Sequence, residues 1–392
     1  MSRFLRLLAA ALLLADAVAL AAPFVPSSDQ QVVERLPTKA NDPAARELNA
    51  LRAAWRREPG NVTRAVDLAR RWFEQAGVDG DPRYVGYAQA ALQPWWSQTD
   101  PPVAARVMRA VILQYGHRFD EAVADLDAAT RAQPDHAEAW AWLAAIHMVR
   151  ADYARARDAC VQLEPLVDDL IAAACRAYVD SLTGRAAAAA QALREALRHD
   201  REAEPAQRLW ALTRLAEIEE RRGAVAQAEA AYREAVGLGR RDVYLLAAYA
   251  DFLLDQGRPH EVLALLKDGE RADLLLLRLA IAAKAARDVR ADGWARELQA
   301  RFEATTARGD TTHRKEEARF ALEVLGQPGR ALALARENYA VQREAGDARV
   351  LLEAAWAARQ RDAAEPALQW MRSSGVESTR LQALAARWSA PR

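Results

Sequence analysis

Residues 117–165 contain two similar copies of one sequence pattern: HRFDEAVADLDAATRAQPDHAEAWAWLAAIHMVRADYARARDACVQLEP. The first copy begins at His117 and the second begins at Ala151, so that Ala122 and Ala156 occupy equivalent positions 34 residues apart. A period of this length is typical of supersecondary units stacked in a row rather than of one compact domain. The sequence therefore predicts a repeat architecture.

The same register continues on both sides of this stretch. Within each copy, small or apolar residues recur at positions i, i+4 and i+7, as they do at Ala122, Leu126 and Ala129, which is the pattern of one helix face. Degenerate copies surround Asp292 and Pro366. The other reference residues equivalent to Ala122 are Ala88, Ala189, Ala228, Val262 and Ala331.

A second register indicates that each copy is a pair of helices. Gly184, Gly223, Gly257 and Gly326 end a helical pattern just before a copy begins, where a tight turn needs a residue free to adopt positive φ. Twelve residues ahead of the reference position the sequence has a small residue, which lets two helices approach closely, although the copy around Ala331 has Arg319 there. These small residues are Ala110, Ala144, Ala177, Ala216, Ala250, Ala280 and Ala354.

Taken together, these positions resemble those of the tetratricopeptide repeat family. The resemblance covers roughly residues 44–390 and implies an all-α fold, an α-α superhelix of about eight to nine helical hairpins. We expect the repeat array to occupy residues 44–375, as an open row of stacked hairpins, and residues 376–392 to form a C-terminal capping helix. The matching residues are Phe119, Ala122 and Pro134 in one repeat and Trp140, Leu143, Ala144, Tyr153 and Ala156 in the next.

The amino terminus has a different character from the repeats. Arg3 and Arg6 precede an apolar run that ends in small residues near Ala21, which resembles a bacterial secretory signal peptide. A membrane anchor is the competing interpretation, but the run is short for a bilayer span and contains Asp16. We therefore expect residues 1–21 to be a signal peptide that is cleaved near Ala21, with a retained signal as the alternative, and residues 22–43 to be a flexible lead-in. The protein would then be periplasmic or otherwise exported.

The charge pattern argues against a nucleic-acid partner, and the short amino-terminal apolar run argues against stable membrane insertion. The chain has 54 basic and 54 acidic residues, interspersed rather than gathered in a basic stripe. Nucleic-acid binding requires such a concentration of positive charge. We therefore expect no nucleic-acid partner and no stable membrane insertion.

Catalytic and metal-binding motifs are not evident in the sequence. The six histidines are scattered without an HExxH pair, the two cysteines are not at metal-ligand spacing, and no glycine-rich phosphate loop occurs. The abundant carboxylates fit solvated helix faces. The sequence therefore predicts a non-enzymatic protein without catalytic residues, cofactor or metal.

In a tetratricopeptide-like array the first helix of each hairpin lines a concave groove. Aromatic residues with acidic neighbours in that groove would suit a peptide that carries lysine or arginine. The alternative is that these aromatic residues belong to the core between hairpins. The candidate groove residues are Tyr178, Trp210, Glu217, Glu220, Tyr244 and Asp251.

Two functional hypotheses follow from this surface. The first is a non-catalytic scaffold of the bacterial cell envelope that binds a protein or peptide partner in its groove. The second is an obligate accessory subunit of an envelope enzyme or secretion complex, which would carry a large apolar patch.

The two cysteines generate a testable prediction. Cys160 and Cys175 fall on neighbouring helices of the array, so an oxidising compartment would allow a disulfide worth about 3 kcal/mol, whereas the alternative is two buried thiols. If the disulfide forms, a thiol-alkylating reagent should label both residues under denaturing conditions only after reduction. Labelling without reductant, measured by intact mass, would identify them as thiols.

Overall fold

The structure, a computed structural model, describes residue 28 and residues 42–389. The predicted signal peptide lies outside the described residues, as does nearly all of the predicted lead-in. Residues 1–49 and residues 50–392 form two units. In the first unit residues 43–49 are helical, and the second unit contains the repeats.

The described chain is helical and has no β-strand. Two 3-10 turns, Glu164–Leu166 and Asp362–Ala364, and one π-helical turn, Phe320–Val324, accompany the α-helices. The α-helices are α1 Pro43–Arg57, α2 Val62–Asp79, α3 Arg83–Ala91, α4 Gln93–Trp96, α5 Val103–Tyr115, α6 Phe119–Ala132, α7 Ala137–Val149, α8 Tyr153–Leu163, α9 Asp169–Ser181, α10 Ala186–His199, α11 Pro205–Arg221, α12 Val225–Gly237, α13 Val243–Asp255, α14 Pro259–Leu265, α15 Asp273–Ala286, α16 Ala291–Ala307, α17 Arg314–Arg319, α18 Pro328–Val341, α19 Ala345–Ala357, α20 Glu365–Ser374 and α21 Thr379–Ser389.

Consecutive helices pack as hairpins joined by short turns. Within residues 62–374 there are nine such pairs, which we number in chain order. The structure confirms the all-α prediction and the paired-helix superhelical architecture that the resemblance implies. The pairs are α2 with α3, α5 with α6, α7 with α8, α9 with α10, α11 with α12, α13 with α14, α15 with α16, α17 with α18, and α19 with α20.

Each of the nine turns between paired helices contains a residue with positive φ. Five of them are glycines, including the four that the sequence singled out, so that prediction is confirmed. The other four turns place a residue with a side chain in the same left-handed conformation, at a cost of about 1 kcal/mol each. The nine residues are Gly80, His117, Ala151, Gly184, Gly223, Gly257, Arg287, Gly326 and Arg359.

Both alanine registers lie at helix contacts. Ala122, Ala156 and Ala228 have no exposed surface, and neither do Ala110 and Ala216 in the second register. Small side chains at these positions let the paired helices approach closely, as the sequence predicts.

The expectation of an open row is wrong. The C-terminal hairpins return to pack against the turns of hairpins 2 to 5, and the backbone N–H of Arg343 donates to the carbonyl of Val149 at 2.7 Å. Farther along, the indole Nε1 of Trp370 donates to the hydroxyl of Tyr153 at 2.9 Å. The apolar surface of the last hairpins is therefore buried against hairpins more than a hundred and fifty residues earlier in the chain.

Buried residues divide into two clusters. One joins residues 107–182 to residues 318–388, and the other contains hairpins 4 to 7 together with Phe320. The first cluster shows that the closure has an apolar core as well as polar contacts. Burial of apolar area at this junction is the main force that holds the returning segment.

The final helix belongs to the same junction. The segment predicted to begin at residue 376 forms α21, where Leu381, Leu384 and Trp388 are buried. Just before it, the carboxylate of Glu377 accepts a hydrogen bond at 2.7 Å from the backbone N–H of Ala186, the first residue of α10. A carboxylate at a helix N-terminus satisfies an otherwise unpaired N–H group and interacts favourably with the helix dipole.

Cys160 and Cys175 are joined by a disulfide in the structure. The bond connects α8 to α9 and closes a loop of 15 residues. It therefore links hairpin 3 to hairpin 4 beside the junction with the returning segment. Within the described residues, no helix is both long enough and apolar enough to span a membrane.

The turn conformation gives a paired stability test. At Gly257 an added Cβ would meet no atom within 4 Å, so Gly257→Ala changes only the cost of positive φ and should destabilise the chain by about 1 kcal/mol. Arg287 is an exposed residue at an equivalent turn, and Arg287→Gly should increase stability by several tenths of a kcal/mol. Urea unfolding measures both changes, and effects of the same sign would contradict this account of the turns.

Candidate functional site

The six groove candidates lie on three first helices in sequence. Tyr178 is on α9, while Trp210, Glu217 and Glu220 are on α11, and α13 carries the other two. The structure therefore places them on adjacent hairpins 4, 5 and 6, as the helix assignment predicts. Their immediate partners, however, come from within the chain.

Arg214 occupies the space between two of the candidate aromatic rings. Its guanidinium carbon lies 4.8 Å from the ring centre of Tyr178 and 4.9 Å from that of Tyr244. The same guanidinium group contacts the carboxylate of Glu217 at 3.1 Å, and Tyr244 donates a hydrogen bond to that carboxylate. Stacking on both faces with an acidic neighbour is the arrangement that the sequence assigned to a basic residue of a partner.

The sequence contained a signal for this internal cation. Arg214 follows Trp210 by four residues and precedes Glu217 by three, so all three lie on one face of α11. Arg214 is only 8% exposed. Burial alone would lower its pKa, but Glu217 and the two tyrosines raise it well above the ordinary value. Arg214 is therefore a fixed positive charge on this surface.

The returning segment also reaches this surface. The hydroxyl of Tyr178 donates to the carboxylate of Glu344 at 3.0 Å, across 166 residues of sequence. Burial raises the pKa of Glu344, although the nearby Lys315 opposes that effect. Lys315 lies 3.6 Å from the carboxylate of Asp347 in the first turn of α19. The start of α19 thus supplies both polar partners and charge to the surface that carries the six candidates on hairpins 4 to 6, which we call the inner face.

Asp251 is held by two arginines of later hairpins. Arg278 contacts its carboxylate at 2.6 and 3.1 Å, and Arg319 contacts both of its oxygens at 2.9 Å. Burial alone would raise the pKa of Asp251, but the two guanidinium groups lower it well below its ordinary value. Asp251 therefore stays ionised as the centre of a buried ion pair.

The next acidic residue on α13 makes a similar cross-link. Both oxygens of Asp255 accept hydrogen bonds from Arg349 of α19 at 2.7 Å. Arg380 of α21 adds a contact to Asp255 at 3.1 Å. These bidentate contacts fix the orientation of hairpin 9 and the final helix relative to hairpin 6.

Glu220 has a neutral partner instead of a cation. Its carboxylate accepts a hydrogen bond from the hydroxyl of Tyr232 at 2.9 Å. Burial raises the pKa of Glu220 to about 7, and the nearby carboxylates of Asp251 and Asp255 act in the same direction. Glu220 thus titrates near neutral pH.

Trp210 and Tyr244 are the two candidates whose side chains are exposed to solvent. Trp210 is 36% exposed and Tyr244 is 50% exposed. The hydroxyl of Tyr244 is engaged by Glu217, so the accessible part of this residue is mainly its ring. Among the described residues, no group of three or more histidine, cysteine, aspartate or glutamate side chains could hold a metal ion.

The pKa of Glu220 predicts a pH-dependent stability. Because the folded state raises this pKa, the contribution of Glu220 is full below the ordinary carboxyl value of 4.5 and is lost as the pH rises through about 7. Between about pH 5 and about pH 8 the free energy of unfolding of the natural chain should therefore fall relative to that of Glu220→Gln, by at most about 3 kcal/mol.

Denaturant unfolding at each pH measures this difference. Asp135→Asn, which changes an exposed carboxylate, is the control, and its pH dependence should match that of the natural chain. A Glu220→Gln variant whose stability runs parallel to that of the natural chain would show that Glu220 titrates at an ordinary pH.

The chain matches no family model and no curated protein. Among solved structures it is similar, at 15% identity and a TM-score of 0.42, to a tetratricopeptide repeat protein from Parabacteroides merdae ATCC 43184, over 65% of this chain and 90% of that one. It is similar to PilW, a type IV pilus biogenesis factor, at 15% identity and a TM-score of 0.31, over 73% of this chain and 100% of PilW.

A third similar structure is the human IFIT1 dimer with m7Gppp-AAAA, at 14% identity and a TM-score of 0.44, over 84% of this chain and 86% of that one. These similarities are too distant to assign a family or a function to the chain. The hairpin architecture described above rests on the helices, turns and contacts of the chain itself.

Proposed function

We propose that the protein is a non-catalytic scaffold that binds a protein or peptide partner on the inner face of hairpins 4 to 6. The observation that carries this proposal is the exposure of Trp210 and Tyr244 on adjacent first helices. Exposed aromatic rings on rigid helices provide contact area with little loss of side-chain entropy, and such residues dominate protein interfaces.

Two carboxylates of this surface are already paired with arginines of the chain, which limits what a basic side chain of the partner could add. A lysine or arginine of the partner would compete with Arg214 for Glu217, and Asp251 already has two arginine partners. We therefore assign most of the recognition to the aromatic rings and a smaller share to a basic side chain. The same pairing supports a non-catalytic role, because Glu217 and Asp251 serve as partners for arginines.

Two observations support an exported, envelope location. Residues 1–21 resemble a secretory signal peptide, and Cys160 is joined to Cys175. Disulfides persist in oxidising compartments such as the bacterial periplasm and are rare in the cytosol. We propose that the disulfide is formed in the working protein and stabilises the link between hairpins 3 and 4.

An independent scaffold is favoured over an obligate accessory subunit. A subunit buried permanently in a complex should have a contiguous apolar patch. In the described part of the chain, the exposed large apolar side chains are spread over eight helices or connecting segments, and of these residues Trp210 and Tyr244 alone belong to the proposed surface. These residues are Tyr87, Val161, Trp210, Val225, Tyr244, Val289, Val341 and Trp356.

Substitution of the two exposed rings tests the proposal. We expect a chain with Trp210→Ala and Tyr244→Ala to capture its partner from an envelope extract at least about tenfold less than the natural chain, because interface aromatic residues contribute about 2 kcal/mol or more. Trp356→Ala is a matched control, since Trp356 is 39% exposed but lies on α19. Captured partner is quantified at equal bait concentration.

Circular dichroism and thermal unfolding separate binding from folding in the same variants. The proposal expects an unchanged helix content for the double variant. Equal capture by the double variant and the natural chain would contradict the proposed surface, and a loss of helix content would assign the two rings to the core.

A further inference from the structure

A second site is independent of the surface proposed above. It is a cavity of about 860 Å³ bounded by α18, α19, the 3-10 turn and α20. Ala151, at the turn of hairpin 3, also lines it. The cavity thus lies mainly between the C-terminal hairpins, beside their junction with hairpin 3. Its size is in the range of small-molecule binding sites.

Four arginines line this cavity. Arg336 and Arg343 come from α18 and the segment after it, while Arg359 and Arg361 come from the turn after α19. The cavity wall contains one acidic residue, Asp362. Four guanidinium groups around one space repel one another unless an anion is present, and they offer paired N–H donors to carboxylate or phosphate oxygens.

These arginines differ from those of the inner face. Arg319 and Arg349 each contact carboxylates of two residues. Within residues 42–389, none of the four cavity arginines has an ion-pair partner. The arginines of the inner face are thus paired within the chain, whereas the four exposed arginines of the cavity are available to contact a ligand.

The floor of the cavity contains a polar group without a partner. Tyr339 is only 5% exposed, and its buried hydroxyl makes no hydrogen bond in the described structure. A buried hydroxyl left unsatisfied costs free energy, which a bound acceptor would recover. Burial raises the pKa of Tyr339, although Arg343 opposes that effect, so the hydroxyl stays protonated and able to donate.

Apolar residues complete the floor. Leu351 and Trp370 line the cavity and are almost fully buried, and the indole N–H of Trp370 is engaged by Tyr153. The cavity therefore combines an apolar base, a buried tyrosine whose hydroxyl has no partner and a rim of guanidinium groups. This composition fits a compact ligand with several negative charges rather than a neutral one.

We propose that this cavity binds a small molecule with at least two oxyanion groups, either phosphates or carboxylates. One or more of the rim arginines would hold each oxyanion group in bidentate contact. The hydroxyl of Tyr339 would donate to the most deeply placed oxygen.

Isothermal titration of the full chain with pyrophosphate and, separately, with citrate tests the proposal and distinguishes the two ligand sources. Arg336→Gln combined with Arg343→Gln should weaken binding at least about tenfold. The matched control is Arg240→Gln combined with Arg241→Gln, which removes the same charge from exposed arginines outside the cavity and should leave binding unchanged.

Tyr339→Phe tests the contribution of the tyrosine hydroxyl without changing the charge of the cavity. Without ligand this variant should be at least as stable as the natural chain, because it deletes an unpaired buried hydroxyl, yet its affinity should fall about threefold or more. Tighter binding of pyrophosphate or of citrate identifies phosphate or carboxylate as the ligand group. The proposal would be overturned if neither pyrophosphate nor citrate bound, or if the cavity and control variants lost affinity equally.

Discussion

Each helix pair depends on one residue in the left-handed backbone conformation at the turn between its helices. This conformation ends the first helix and reverses the chain within a few residues, so that the second helix runs back along the first. The requirement is strong enough that four turns use residues other than glycine, Arg359 among them. Because the reversal is the same at every turn, successive pairs stack in one direction and the small residues of the two alanine registers meet at the helix contacts.

The inner face of this stack is where the chain departs from a simple repeat. At the register where the other hairpins carry alanine, hairpin 8 carries Arg319, and the π-helical turn Phe320–Val324 follows it directly. Arg319 reaches Asp251 on hairpin 6, and Arg349 reaches Asp255 one turn farther along the same helix. A displaced partner in a buried ion pair of this kind would leave an uncompensated charge, so alternative placements of these hairpins are disfavoured. They fix the position at which the C-terminal hairpins settle.

Local features of the fold were predictable from the sequence, and the closure was not. The repeat period, the glycine turns and the buried alanines are encoded within a few tens of residues, where helix periodicity and φ preferences act. The hydrogen bond from Tyr178 to Glu344 spans 166 residues and depends on the curvature of the whole stack, which no local pattern specifies. For the same reason the sequence identified the aromatic and acidic side chains of the inner face but assigned their cation to a partner, when Arg214 supplies it. The arginine cavity was not predicted because its walls come from separate hairpins.

The return of the C-terminal hairpins also changes how the molecule must acquire its structure. In an open solenoid each unit contacts only its neighbours, so early units can become native while later ones are still being synthesised. Here the turns of hairpins 2 to 5 find their partners in residues 342–379, far along the chain. The early units therefore keep an unsatisfied apolar edge until residues 342–379 have been synthesised, and contacts so distant in sequence slow folding. Once folded, a stack closed in this way resists the unit-by-unit unravelling that is open to a simple row of hairpins.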